Sequence, residues 1–176
     1  MFFLTIAVLT VIFIARESAV GQEEAPFGGQ DDVAFAGKLW DAIQGYEEWP
    51  MSSGVYPGTS PHGKFLCVSY NMVHVGGTPY HVVIKDNFGG EGATTESVSQ
   101  APGEYLAAVT VMVQREAGYD PQNGNWYWVK YLPDGSLDKN PKGMELAGRV
   151  GKGMETGCIP CHGNAKGGDY FFTNDE

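Results

Sequence analysis

Five consecutive residues near the C-terminus carry the clearest chemical signal in the chain, Cys158-Ile159-Pro160-Cys161-His162. Two cysteines separated by two residues can form thioethers with the vinyl groups of haem, and the following histidine then reaches the iron as its proximal ligand. A zinc knuckle needs a second ligand pair at comparable spacing, and a thioredoxin-like redox pair needs a β-α-β context; the sequence indicates neither. A plain disulfide remains the alternative. The motif therefore predicts one covalently attached haem c with His162 as a metal ligand.

The third cysteine, Cys67, needs a separate explanation. It lies in the apolar segment Phe65-Leu66-Cys67-Val68. A thiolate close to ferric haem would have a lowered pKa and could bind the iron, giving a six-coordinate His162/Cys67 centre. Strand alternation places Phe65 and Cys67 on one face, so Phe65 would line the same pocket. Burial of Cys67 as a small hydrophobe, or a disulfide to a partner, are the alternatives.

Other side chains offer possible distal ligands without a spacing signature. Methionines at strand positions usually fill a core, and tryptophans on one strand face usually do the same. The sequence alone therefore assigns none of these residues to the metal: His62, His74, His81, Met72, Met112, Trp126 and Trp128.

The first residues predict an export signal. Residues 2–15 are apolar apart from Thr5 and Thr10. This run is shorter than the roughly 20 residues that span a bilayer but typical of a secretory signal peptide. Ala19 and Gly21 provide a small-residue cleavage site, although no Lys or Arg precedes the run. We expect a signal peptide over residues 1–21 and a single domain over residues 22–176, exported to the periplasm or an equivalent compartment, with no membrane span in the mature form. An uncleaved anchor or interfacial segment is the alternative.

Length and charge limit the class of protein. The chain has 176 residues, which is the length of one domain. Eleven Lys and Arg against 21 Asp and Glu leave a net charge of −10, which disfavours nucleic acid and anionic membranes as partners. A hydrophobic content of 43% is enough to form a core.

One helix and several strands must position the chemical groups. Apolar residues recur at helical spacing from Ala36 to Tyr46, behind a predicted N-cap at Asp31-Asp32. Segments 64–71, 80–87, 104–114 and 125–132 are rich in β-branched and aromatic residues and bounded by turn residues. A short helix is predicted around Met144–Gly148. We expect a mainly β (α+β) fold: a curled antiparallel sheet of about four to five strands, with an N-terminal helix and a C-terminal haem-attachment segment.

Several motifs together resemble one known family. They are Pro57-Gly58-Thr59-Ser60-Pro61-His62-Gly63-Lys64, Val83-Ile84-Lys85-Asp86, Gly118-Tyr119-Asp120-Pro121, Trp126-Tyr127-Trp128-Val129-Lys130-Tyr131, and the C-x-x-C-H followed by Gly167-Gly168-Asp169-Tyr170-Phe171-Phe172. The chain is similar to the cytochrome P-460 and cytochrome c'-beta family. The possible cysteine ligand also resembles that of heterodimeric c-type cytochromes of anaerobic ammonium-oxidising bacteria.

The resemblance implies two alternative functions. Members of the c'-beta type bind NO or CO in an apolar pocket, whereas cytochrome P-460 proper carries a haem-linked lysine and oxidises hydroxylamine. We expect a gas-binding or electron-transfer cytochrome with His162 and Cys67 as ligands, pairing with a second copy or a paralogous cytochrome. In the alternative, an enzyme, Lys85 carries the cross-link and Glu116 is a possible base in the pocket. A solvated Lys85 and a surface Glu116 are the plainer interpretations.

Overall fold

A single antiparallel sheet dominates the fold. The computed structural model describes residues 26–172, so the predicted signal peptide, residues 1–21, lies outside the described residues. Six strands lie in chain order across the sheet, which curls without closing. Their bounds are β1 Tyr56–Pro57, β2 Phe65–Val75, β3 Thr78–Phe88, β4 Leu106–Gln114, β5 Trp126–Tyr131 and β6 Ala147–Gly148.

Short helices flank the sheet. They are α1 Gln30–Ala42, α2 Thr95–Gln100, α3 Pro102–Tyr105 and α4 Cys158–His162. The predicted fold class is confirmed, and the four predicted strands correspond to β2–β5. The two additional strands, β1 and β6, have two residues each and carry too little pattern to be recognised from sequence. No helix within residues 26–172 is long and apolar enough to cross a bilayer.

The N-cap of helix α1 lies two residues before the predicted cap. Its N-cap is Gly29, in extended conformation, and Asp31 and Asp32 occupy the first helical turn. Carboxylates at this end interact favourably with the exposed backbone N–H groups of the helix. The helix ends at Ala42, and Gly45 then adopts a left-handed conformation with a φ of 77° that turns the chain.

A two-residue turn fixes the register of the central hairpin. Gly76 and Gly77 both have positive φ, at 60° and 87°, as a tight β2–β3 turn requires. The pairing runs from Val75 opposite Thr78 to Phe65 opposite Phe88. Directly paired residues point to the same face of a sheet, so every side chain of β2 shares a face with its β3 partner.

The two faces of the sheet pack against different parts of the chain. The face covered by α1, here called the helix face, buries Leu39 and Ile43 against Ile84, Val111 and other apolar side chains. Tyr127 Oη and Tyr131 Oη donate to the α1 carbonyls of Asp32 and Ala36, at 2.7 and 2.8 Å. The opposite face, here called the cavity face, faces the segment that carries α4. The larger core cluster therefore lies on the helix face, and a smaller buried cluster lies on the cavity face beside the candidate site.

The predicted helix over Met144–Gly148 is wrong. This segment contains β6, in which Ala147 pairs with Val129 and Gly148 with Trp128. Gly148 has a φ of 101°, and a Cβ there would collide with the carboxylate of Asp32. Both facts require glycine at this position and are incompatible with a helix. Strand pairing and tertiary packing therefore outweigh the weak helical periodicity of the segment.

Candidate haem site

The C-x-x-C-H motif forms its own short helix, α4, and glycines allow the chain to reach it. Gly151 and Gly157 have φ values of 84° and 135°, and a Cβ on Gly157 would lie 2.7 Å from the Cα of Gly151. The Ile159 N–H donates to the Val150 carbonyl at 3.1 Å. The chain thus doubles back on itself, and Ile159 packs with Val150 beneath the cavity face.

His162 is buried and its imidazole is oriented by a backbone contact. The side chain is 7% exposed. Its Nδ1 lies 2.7 Å from the carbonyl oxygen of Tyr170, which can only accept, so Nδ1 carries the proton and Nε2 is left with a lone pair. The Trp128 ring packs against the imidazole with centroids 4.7 Å apart. Burial lowers the pKa of His162 and favours the neutral form that binds metals.

A cavity of about 770 Å³ separates α4 from the sheet. Cys158, Cys161 and His162 lie on one side. The other side is the cavity face of strands β2 to β5, and the loop before β2 completes the wall. The strand residues that line the cavity include Val68, Val83, Lys85, Asn87, Ala108, Thr110, Met112, Trp128 and Lys130.

The residues present fit a haem. The cavity volume is within the roughly 300–1,000 Å³ of cofactor pockets, and its lining is mainly apolar. The indole Nε1 of Trp128 is buried with no partner among the described residues, so the wall holds a donor available to a bound group. Desolvation raises the pKa of the Cys158 thiol to about 12, which disfavours a redox-active thiolate pair. Residues 26–172 hold no cluster of three His, Cys, Asp or Glu that could hold a metal ion.

Lys85 lies in the cavity, among polar groups that crosslink two strands. The Asn87 amide Nδ2 donates to the Lys85 carbonyl at 2.8 Å and to Thr110 Oγ1 at 3.2 Å. The Thr110 hydroxyl also donates to the Lys85 carbonyl at 3.1 Å. Burial lowers the pKa of Lys85. The arrangement fixes the β3 backbone where Lys85 enters the cavity.

His62 also lines the cavity, from the loop that precedes β2. Its ring centroid is 6.1 Å from that of His162, and the two ring planes are nearly perpendicular at 89°. Burial lowers the pKa of His62 to about 4, so the side chain is neutral at pH 7. The sequence offered no spacing that distinguished this histidine from the others.

Cys67 and Phe65 are not brought to this cavity. Cys67 pairs with Asp86, whereas its neighbour Val68 pairs with Lys85, so Cys67 points to the helix face. Its Sγ lies 3.1 Å from Ser52 Oγ. Phe65 shares that face with Cys67, and both pack against the satellite cluster of Phe88, Ala93 and Val98. The expected haem contacts of Cys67 and Phe65 are therefore corrected: the sheet separates both side chains from His162.

Of the remaining candidates, only some reach the cavity. Glu116 is exposed and its carboxylate pairs with the Arg115 guanidinium at 3.0 Å, in agreement with the surface interpretation. His74, His81 and Met72 are exposed on the β2–β3 hairpin. Met112 lines the cavity as a buried apolar side chain.

Several cavity residues were missed by sequence reasoning, among them Asn87, Trp128 and Glu155. Trp128 was expected in the core, and its contact with His162 shows that one side of that core is the cofactor wall. The two-residue alternation of Lys85 and Asn87 along β3 is the signal that could have identified Asn87.

Comparisons with known proteins agree with this site. No curated protein and no solved structure matches the chain. The family model Cytochrome P460 matches residues 78–173, which include Lys85, Trp128 and the C-x-x-C-H motif. The chain therefore belongs to the cytochrome P460 family of haem proteins.

Proposed function

We propose that this protein is an exported mono-haem c-type cytochrome that transfers electrons and binds NO or CO. The observation that carries the proposal is that Cys158, Cys161 and His162 line one side of a single, mainly apolar cavity beside the sheet. Two thiols and one imidazole on a short helix are the groups that attach and ligate haem c. Haem bound there would supply a one-electron couple and an iron site for a diatomic gas.

The residues of the chain have two tasks in this function. His162 would bind the haem iron through Nε2, and its Nδ1–H···O=C contact to Tyr170 fixes the ring and increases its basicity. Trp128, Met112 and Val83 form an apolar wall that excludes water from the site. Exclusion of water and the basicity of an axial histidine are the factors by which a protein sets the potential of a haem.

The first experiment tests covalent attachment. The full chain is expressed with a c-type cytochrome maturation system, and the intact mass of the exported product is measured after denaturation. We expect the polypeptide mass plus one haem, with residues 1–21 removed. A double variant, Cys158→Ser with Cys161→Ser, is the control and should lose the haem on denaturation. A parent that carries no haem after denaturation would contradict the proposal.

A second candidate, oxidation of hydroxylamine, is favoured by one observation. Lys85 lies in the cavity, and a lysine on this wall is the group that a lysine–haem cross-link would require. This candidate also requires an open iron position opposite His162. Lys85→Met and the matched cavity variant Lys130→Met distinguish the candidates by optical spectrum and hydroxylamine turnover. A cross-linked haem predicts a red-shifted Soret band that only Lys85→Met abolishes; the electron-transfer function predicts ordinary haem c in all three proteins.

We also propose that the protein pairs with a second copy or a paralogous cytochrome. Met51, Tyr70, Met72 and Phe172 are between 42% and 52% exposed and line one surface depression. Apolar side chains grouped in this way are typical of interaction surfaces. Light scattering should give the mass of a dimer for the parent and of a monomer for Met72→Glu, with the exposed Met154→Glu as control. An unchanged mass for Met72→Glu would contradict this surface.

A further inference from the structure

Two histidines from distant parts of the chain face the same cavity. His62 lies in the loop before β2, and His162 lies in α4, 100 positions later. Their ring centroids are 6.1 Å apart. His62 lies in the Pro57–Lys64 motif, before residues 78–173 that match the family model.

In each imidazole, Nδ1 has a hydrogen-bond partner, and Nε2 has none within residues 26–172. The Nδ1 of His62 lies 2.9 Å from Asn87 Oδ1, and the Nδ1 of His162 lies 2.7 Å from the Tyr170 carbonyl oxygen. The Tyr170 carbonyl oxygen can only accept a hydrogen bond. The Asn87 side-chain oxygen also accepts, because the amide nitrogen of Asn87 is oriented by its donation to the Lys85 carbonyl. Both Nδ1 atoms therefore carry protons, and Nε2 of each ring keeps the lone pair that a metal binds.

The ring separation matches one metal ion between the two rings. An imidazole–metal bond is about 2 Å long, and the ring centroid lies about 1 Å behind the nitrogen, so two opposed ligands place their centroids about 6 Å apart. The observed 6.1 Å agrees with that value. A direct hydrogen bond between the two rings would need a proton on one Nε2 atom. In both neutral rings the proton is on Nδ1, so neither Nε2 can donate.

The loop that carries His62 is held against β3. The Gly63 N–H donates to Asn87 Oδ1 at 3.3 Å, so one side-chain oxygen orients both the ring and the backbone of the loop. Gly63 itself packs on the strand: a Cβ there would lie 2.5 Å from the backbone nitrogen of Phe88. A ligand whose second nitrogen is bound in this way has a fixed orientation and greater basicity.

We infer that His62 is the second axial ligand of the haem, opposite His162. The inference rests on the proposed function, because it requires a haem attached at Cys158 and Cys161. Asn87 is then a positioning residue that acts through His62. A six-coordinate centre favours electron transfer, and NO or CO would have to displace the His62 imidazole. Hydroxylamine oxidation would be disfavoured for the same reason.

Electron paramagnetic resonance of the oxidised, haem-loaded full chain tests the inference, after haem content is measured on the denatured protein. We expect a low-spin ferric signal for the parent and for His74→Ala, an exposed control. His62→Ala should lose this signal in favour of a high-spin one, and added imidazole should restore it. In a second variant, His62→Met, a thioether ligand should raise the haem potential.

The outcomes distinguish a failure of the proposed haem attachment from a failure of the His62 assignment. A parent without covalent haem overturns the proposed function, and this inference with it. A haem-loaded parent that is high-spin overturns the inference alone. So does a folded, haem-loaded His62→Ala or His62→Met protein whose low-spin signal and potential equal those of the parent.

Discussion

Replacement of Asp86 by Asn should remove a large pH dependence of stability. Asp86 lies on β3 between Lys85 and Asn87 but points to the helix face. It is 9% exposed, and the Tyr46 hydroxyl donates to its Oδ1 at 2.6 Å. Burial raises the pKa of Asp86 to about 6, and the nearby Glu47 carboxylate acts in the same direction, against the lowering effect of the Tyr46 hydrogen bond.

The size and sign of the effect follow from this shift. In the unfolded chain the Asp86 carboxyl has a pKa of about 3.9. Its folded-state pKa is higher, so its contribution to stability is fully present below about pH 4 and is lost as the pH rises through 6. A shift of about two pH units corresponds to about 3 kcal/mol. Asn resembles the protonated acid and can still accept from Tyr46, so it should remain neutral without this loss.

Urea unfolding of the haem-loaded parent and Asp86→Asn, between pH 3.5 and pH 7.5, measures the difference. The two free energies of unfolding should be similar at pH 3.5, and the variant should be more stable by about 3 kcal/mol at pH 7.5. Groups common to both proteins cancel in the difference. Asp41→Asn, at an exposed position of α1, is the control and should show no such trend. A difference that does not change with pH would refute the reasoning.

Three further predictions concern the support of the site. Lys152→Met should destabilise the protein by about 1–3 kcal/mol in urea unfolding, because Lys152 Nζ lies 2.6 Å from the carboxylate of Asp120, whose side chain is fully buried. Gly63→Ala should cost about 1–3 kcal/mol in thermal unfolding, because its Cβ meets β3, whereas Gly89→Ala has open space. Cys67→Ala should leave the ferric haem spectrum unchanged and cost about 1 kcal/mol of unfolding free energy, since its thiol lies on the helix face, 3.1 Å from Ser52 Oγ.

Each of these has an outcome that contradicts it. For the ion pair with the buried Asp120, the comparison is the more exposed pair of Lys139 and Glu145, 3.7 Å apart: Lys139→Met should cost less than about 1 kcal/mol. Equal losses for Lys152→Met and Lys139→Met would show that burial of the Asp120 carboxylate does not matter. Equal melting temperatures for Gly63→Ala and Gly89→Ala would show that the loop before β2 moves to accommodate the added methyl group without a loss of stability. A change of the ferric spin state in Cys67→Ala would show that the Cys67 thiol binds the haem iron.

The sequence predicts the parts of this protein whose chemistry is local. The C-x-x-C-H motif is five residues long, and strands β2–β5 are dense in β-branched and aromatic residues, so neither depends on distant partners. The segment around β6 could not be predicted, because Ala147 and Gly148 become a strand only through their pairing with β5. The cavity role of Trp128 was hidden for a similar reason: an indole buried in a core and one that lines a cofactor wall share the same strand pattern.

The face on which Cys67 lies could have been predicted from the register of the β2–β3 hairpin. Gly76-Gly77 is a signal for a two-residue hairpin, and a two-residue turn between Val75 and Thr78 pairs Val68, not Cys67, with Lys85. Paired residues share a face, so Cys67 and Lys85 cannot both point at one haem. The sequence therefore already excluded a site that contained both side chains, but it did not say which face holds the haem. That choice is made by α1, which covers the Cys67 face with Leu39 and Ile43 and leaves the Lys85 face to α4 and its cysteines.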